Sequence, residues 1–84
     1  MTRNDLIDKI IEFENYKLRK GNGVLSFVKM DDPYKQILLS NKTLFLVDNY
    51  SEDSETFVIS TIKNIEEKED KVIITLFDGE SKEF

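Results

Sequence analysis

The chain of 84 residues contains no cysteine, no histidine and no tryptophan, one proline and three glycines. Without cysteine there is no disulfide framework, no thiolate nucleophile and no Cys-based zinc site, the usual state of a protein made for a reducing compartment. Without histidine the commonest general base and the commonest metal ligand are missing, and no side chain has a near-neutral unperturbed pKa. No cofactor and no metal is expected. Met1-Thr-Arg leads into an amphipathic and not a continuously apolar segment, so neither a signal peptide nor a spanning helix is expected, and the cytoplasm is the default location.

What is present is enough for one small fold. A chain this short buries only about 60–65% of its unfolded surface and has no material for a second core, so residues 1–84 read as one domain without a deep catalytic cleft. The 39% hydrophobic content includes six Phe and three Tyr, and the 35% charged content reads as a solvated surface. Charge is unevenly spread. Residues 1–42 carry eight Lys/Arg against six Asp/Glu (+2), and residues 43–84 carry four against eleven (−7), which gives the net −5. An acidic surface disfavours phosphates and anionic membranes and favours basic protein surfaces.

Thr2 with Asp5 three residues on is close to a capping box. Leu6, Ile7, Ile10, Ile11 and Phe13 recur at helical spacing, which predicts an amphipathic helix ending near Glu14. Asn15 to Lys20 alternates as a strand; Gly21-Asn22-Gly23 supplies residues tolerant of positive φ for a tight turn, and Val24 to Met30 returns. Asp31-Asp32-Pro33 breaks that strand, since Pro33 has no N–H to donate to a ladder. Tyr34 to Ser40 and Thr43 to Val47 follow as strands around an Asn41-Lys42 turn, the second apolar on both faces and therefore central. Asp48 to Glu55 reads as a long polar loop. Thr56 to Ile65 and Lys71 to Phe77 read as a hairpin joined by the acidic loop Glu66 to Asp70, with Val72, Ile74 and Leu76 on one face and Ile73, Thr75 and Phe77 on the other. Apolar residues on both faces imply cover on each side. Asp78-Gly79 marks a turn, and Glu80 to Phe84 a short edge strand. The fold class is α+β: an N-terminal amphipathic helix packed on a bent antiparallel sheet, or on a small SH3/Sm-like barrel, of about five to six strands, with the bent or open form favoured.

Catalytic chemistry has little to build on. The serines at 26, 40, 51, 54, 60 and 81 lack a glycine-flanked elbow, and the ordinary reading is strand and loop serines. Asp31-Asp32 and Glu66-Glu67 are paired carboxylates in predicted exposed turns, without the burial that separates an acid from a base. The Asp48–Glu55 stretch lacks the glycine of a calcium loop, and Gly21-Asn22-Gly23 lacks a Walker lysine. The chain is therefore read as no enzyme.

Two binding readings remain. Asp48, Glu52, Asp53 and Glu55 in one loop and Glu66, Glu67, Glu69 and Asp70 in another form acidic clusters, with Asp78, Glu80 and Glu83 near the end. Their ordinary role is to keep a small domain soluble. Their functional reading is a polyanion that engages Lys/Arg on a basic protein surface, with Tyr50 as aromatic anchor. The alternative is a small β-barrel adaptor that binds nucleic acid or a small ligand through a basic and aromatic N-terminal hairpin, Lys17, Arg19, Lys20, Lys29 and Lys35 with Tyr16, Phe27 and Tyr34.

Asn4-Asp5-Leu6-Ile7-x-x-Ile10, followed by Tyr16 and Gly21 where helix gives way to strand, resembles the N-terminus of small acidic anti-CRISPR proteins, phage-encoded inhibitors of RNA-guided nucleases. The resemblance covers about twenty residues. It implies a helix-plus-antiparallel-sheet inhibitor that works in the cytoplasm of a bacterial host and occludes a nuclease's DNA-recognition groove with carboxylates. The second half departs from the pattern, reading as strands where the best-known members carry further helices. The expected partner is thus a CRISPR nuclease or another nucleic-acid-binding protein, met by a monomer or homodimer.

Overall fold

The computed structural model describes residues 1–20, 23–49 and 53–84, with backbone alone at Lys20 and Asp53. Helix α1 spans Arg3–Ile10. Its start follows the sequence: the Asp5 amide donates to Thr2 Oγ1 at 3.1 Å and the Thr2 amide donates to Asp5 Oδ2 at 3.0 Å, a reciprocal capping box. These bonds hold the Asp5 carboxyl below the usual carboxylate range, the Thr2 backbone donor first. The helix stops earlier than its apolar spacing predicts. The Glu12 and Phe13 amides tighten onto the Lys9 and Ile10 carbonyls. The next two amides, of Glu14 and Asn15, donate instead to the Glu67 carboxylate at 2.7 and 3.2 Å, so a distant strand takes the place of a further helical turn.

Five strands then form an antiparallel meander, β1 (Tyr16–Lys20), β2 (Leu25–Lys29), β3 (Lys35–Leu39), β4 (Thr43–Asp48) and β5 (Asp53–Val58), in that spatial order. Paired residues share a face of a sheet. The rows Leu18, Phe27, Ile37, Leu46 and Leu25, Leu39, Leu44, Phe57 therefore point inward. The expected Asp48–Glu55 loop is shorter than predicted, because Asp48 belongs to β4 and pairs with Asp53 in β5. Cross-strand pairing of Leu46 with Glu55 and Val47 with Ser54 overrides the poor strand propensity of the acids.

The expected single strand from Thr56 to Ile65 is broken. A 3-10 turn at Ile59–Thr61 carries the chain out of the first sheet, with the Ile59 amide donating to Lys42 and Thr61 Oγ1 to Val58. Ile59, Ile62 and Ile65 are all buried at a spacing of three, which a straight strand cannot place on one face. The 3-10 turn absorbs the first odd residue, and an irregularity between Ile62 and Asn64 absorbs the second.

The second sheet is β6 (Ile62–Lys68), β7 (Lys71–Leu76) and β8 (Ser81–Glu83), again a meander. The predicted Glu66–Asp70 loop contracts to Glu69 and Asp70, because Glu66 and Glu67 pair with Ile73 and Val72. Glu69 takes φ +58° in that two-residue turn, and Gly79 takes φ +94° in the turn that Asp78-Gly79 predicts. Val72 and Ile74 are buried, whereas Ile73 and Thr75 on the other face are half-buried, so β7 is central without being covered on both sides.

Eight strands are thus present among the described residues, against five to six expected, and the two sheets do not close into a barrel. They share one core with Leu6 and Ile10 of α1. Each fully buried Leu, Ile or Phe contributes about 1.5–3 kcal/mol relative to exposure. The helix is pinned across that core by Arg3 Nε donating to the Ser40 carbonyl, Lys9 Nζ to Asn64 Oδ1 and the Met1 amino group to the Ile62 carbonyl. No described helix is long and apolar enough to cross a membrane.

Candidate partner-binding surface

The nine residues expected to meet a partner separate into three groups. Tyr50 and Glu52 lie outside the described residues, and Asp53 is described in its backbone alone. Asp48, Glu55 and Asp70 come together, because an open groove of about 680 Å³ between the two sheets is lined by all three. The ends of the two acidic stretches therefore do reach one place. They meet four lysines there, since Lys29, Lys35, Lys71 and Lys82 line the same groove beside Asp48, Glu55, Asp70 and Glu83.

The groove is a set of ion pairs and not a polyanion. Lys82 of β8 pairs with Glu55 of β5. Lys29 Nζ lies 3.3 Å from Asp70 Oδ2 and donates to the Asp70 carbonyl at 3.3 Å. Both pairs bridge the sheets, whereas Lys71 and Glu83, 3.4 Å apart, join two strands of one sheet. Lys35 stands 5.2 Å from the centre of the Phe84 ring. The Lys29 side chain is only 7% accessible, so Asp70 compensates a mostly buried cation. The exposed pair Lys71–Glu83 contributes about 0–1 kcal/mol.

Glu67 is structural in a different way. It shares the inward face with Val72, and its carboxylate closes the end of α1 through the two amides of Glu14 and Asn15. Glu66, its neighbour, points outward in a row with Ile73 and Glu83. Glu66 and Glu69 are exposed, and among the described residues their carboxylates have no intramolecular partner. The second acidic stretch thus alternates between outward carboxylates available to a partner and carboxylates that hold the fold.

Tyr16 sits where β1 meets these acids. It is 6% exposed, packs edge-on against Phe13 with ring centres 6.3 Å apart, and among the described residues its hydroxyl has no hydrogen-bond partner. Burial, then the nearby charges of Glu67, Asp70, Asp31 and Asp32, push the phenol well above the ordinary tyrosine value. It stays neutral throughout the physiological range.

The basic and aromatic hairpin is divided by the pleat. Tyr16, Phe27 and Lys29 lie on the inward face, at 6%, 0% and 6% exposure, so none offers a ring or a charge to a stacked base. Lys17 and Arg19 project outward, and Tyr34 is 48% exposed beyond the end of the sheet.

Sequence reasoning missed the lysines that neutralise the groove. Lys82 and Lys71 each stand next in sequence to an acid, Glu83 and Asp70, but their partners, Glu55 and Glu83, lie across strands, a relation that sequence order does not carry. Among the described residues no group of three or more acids is placed to hold a metal ion. Comparison with protein-family models, with curated proteins and with solved structures finds no match, so the site is read from its own geometry.

Proposed function

We propose that the protein is a non-catalytic acidic domain that binds a basic surface on a partner protein through the outer face of β6–β7–β8 and the β6–β7 turn. The observation that carries this reading is the exposure of Glu66 and Glu69 without partners among the described residues, on the same hairpin as Asp70, whose side chain is 66% accessible. Ile73 lies between Glu66 and Glu83 and gives the face an apolar centre, with Lys68 and Lys71 in the neighbouring row, where Lys71 pairs with Glu83 and leaves Glu66 and Glu69 as the available acids. Carboxylates around a small apolar spot suit a partner whose Lys/Arg frame an apolar side chain, and such charges speed encounter and fix register more than they raise affinity. The N-terminal resemblance to anti-CRISPR proteins supplies the partner class: the nucleic-acid-binding surface of a CRISPR nuclease or another defence protein of a bacterial host.

The test is affinity capture from a bacterial lysate, followed by titration of the captured partner with the variant Glu66→Lys/Glu69→Lys. Both side chains are exposed, so the variant is expected to fold. Binding should weaken by about tenfold or more and lose its dependence on salt. Undiminished binding overturns the charge-based mechanism.

A further inference from the structure

Among the described residues the two sheets end in four strand edges, and the edges are not alike. β1 and β5 end the first sheet, β6 and β8 the second. β1 carries Lys17, Arg19 and Lys20, the kind of charge that guards natural edges against pairing. β6 lies against α1, and β8 is only three residues long. β5 has none of these protections along Thr56-Phe57-Val58, an uncharged run of high strand propensity. The ladder shows which backbone groups β5 leaves open. The Ile59 amide donates to the Lys42 carbonyl, and hydrogen-bonded pairs alternate along an antiparallel ladder. Phe57 and Glu55 therefore bond to Leu44 and Leu46, while the N–H and C=O groups of Ser54, Thr56 and Val58 point away from β4. Among the described residues only the Thr61 hydroxyl reaches them, donating to the Val58 carbonyl. An open hollow of about 570 Å³ touches Thr56 and Val58, whose side chains face outward, and Phe57, whose side chain faces inward, but nothing of β4. A hollow that meets both faces of one strand and misses its neighbour lies along the free edge. Its far wall is Leu76, Phe77 and Asp78, with Phe77 65% exposed. Further along the same edge, Ser54 and Glu55 line the ion-paired groove, where Lys82 of β8 stands opposite. β5 thus forms one side of a trough with an apolar end and a charged end.

We propose that this trough takes an extended segment of a partner protein, which adds to β5 as a further antiparallel strand of the first sheet. What the edge offers fixes the occupant. A row of open N–H and C=O groups at strand spacing is matched by another strand, and the hollow beside it takes one of that strand's side chains. Side chains of the added strand alternate, so one residue faces inward beside Phe57 and the residue two further on faces inward beside Glu55. Both positions are non-hydrogen-bonded pairs, where side chains on neighbouring strands come closest. The first residue drops into the hollow between Phe57, Leu76 and Phe77 and is bulky and apolar. The second stands across from a carboxylate, where an opposite charge stabilises and a like charge destabilises, so it is Lys or Arg. It replaces Lys82 as the partner of Glu55 at little cost, because the side chains of that pair are 45% and 43% accessible. The recognised segment therefore reads apolar-x-Lys/Arg in extended form. The inference goes beyond the outer-face reading and does not rest on it, since the edge of β5 and the outer face of β6–β7–β8 are separate surfaces.

The probe is the blocked peptide acetyl-Thr-Phe-Thr-Lys-Thr-amide, titrated into the isotope-labelled full chain up to roughly 5 mM, which detects affinities as weak as the millimolar range. Amide shifts should concentrate on Ser54, Thr56 and Val58. At about four-fifths occupancy, hydrogen exchange of the Ser54 and Thr56 amides should slow about fivefold, because only the free fraction exchanges. A peptide N-methylated at its central Thr keeps every side chain and loses the N–H aimed at the Thr56 carbonyl, and it should bind about tenfold more weakly or worse. Glu in place of the peptide's Lys should weaken binding by a similar factor. Phe77→Ala, at an exposed site where the fold is retained, should remove the advantage of Phe over Ala in the peptide. The absence of shifts at every peptide concentration overturns the proposal, as does equal binding of the N-methylated peptide, which needs no added strand. Shifts of Ser54 and Thr56 that follow the concentration of the protein alone assign the edge to a second copy and overturn it equally.

Discussion

The two sheets share one core and turn opposite exteriors to solvent. Outside β2–β4 the side chains are Val28, Leu38, Phe45 and Val47, edged by the cations Lys17 and Arg19. Outside β6–β8 they are Glu66, Ile73 and Glu83, flanked on one side by Lys68 and Lys71 and on the other by Asn64, Thr75 and Ser81. The rows outside the first sheet hold cations and no acid, whereas those outside the second mix acids with lysines, so the two surfaces suit different partners. A net charge read for the molecule as a whole conceals this.

The sharpest way to break the contrast is to compare neighbours that face opposite ways. Leu44 is fully buried and Phe45 points outward from the same strand. Leu44→Ala should cost about 2–4 kcal/mol through lost burial and an unfilled cavity. Phe45→Thr, which keeps strand propensity, should cost about 1 kcal/mol or less in urea unfolding at low protein concentration. Equal costs at the two sites contradict the assignment of Phe45 to an exterior.

The same comparison on β6 sets Glu67 against Glu66. Glu67→Ala removes the acceptor of two backbone amides and should destabilise by about 1.5–2 kcal/mol, with faster hydrogen exchange at the end of α1. Glu66→Ala should leave stability within about 0.5 kcal/mol and weaken partner binding instead. A reversed pattern, stability lost at Glu66 and binding lost at Glu67, exchanges their roles.

These pairs also show what the sequence makes legible. The capping box at Thr2, the Asp31–Pro33 break, the Asp78-Gly79 turn and the strand meander are local, and local chemistry specifies them. The early end of α1 is not, because the group that ends it, Glu67, lies more than fifty residues away. The break at Ile59–Thr61 was partly legible: apolar residues at 59, 62 and 65 fit neither a straight strand nor a long helix. The acidic clusters were legible as charge but not as geometry. Alternation within β6 sends Glu66 out and Glu67 in, and the lysines that pair with Glu55 and Asp70 arrive from other strands.

Where the two sheets meet, Tyr16 gives a smaller and pH-dependent effect. Its buried hydroxyl has no partner among the described residues, so Tyr16→Phe should be neutral or stabilising by up to about 1 kcal/mol. The folded protein holds the phenol above the value of about 10 that it has in the unfolded chain. Below pH about 10 the phenol is neutral in both states and stability does not depend on it; above that value the unfolded state ionises first and stability falls. The difference in stability between wild type and Tyr16→Phe should move in favour of the variant as pH rises from 9 to 11, and a difference independent of pH contradicts the burial of the hydroxyl.

The smallest effect is expected at Glu69, and it bears on the acidic exterior most directly. Glu69 is the one non-glycine residue with positive φ among those described, in a two-residue turn where glycine is the usual choice. Left-handed backbone costs a residue with a Cβ about 1–2 kcal/mol, and glycine's extra freedom in the unfolded chain returns part of that, so Glu69→Gly should stabilise by about 0.5 kcal/mol. A glutamate held where glycine folds better keeps its charge at the tip of the turn for some reason other than stability. Glu69→Asn separates the two properties, since asparagine tolerates the same φ and lacks the charge. If both variants hold or raise the midpoint of thermal unfolding while partner affinity falls by the same factor, the carboxylate is kept for binding. If Glu69→Gly lowers the midpoint, the turn is unstrained and the acid needs no functional account.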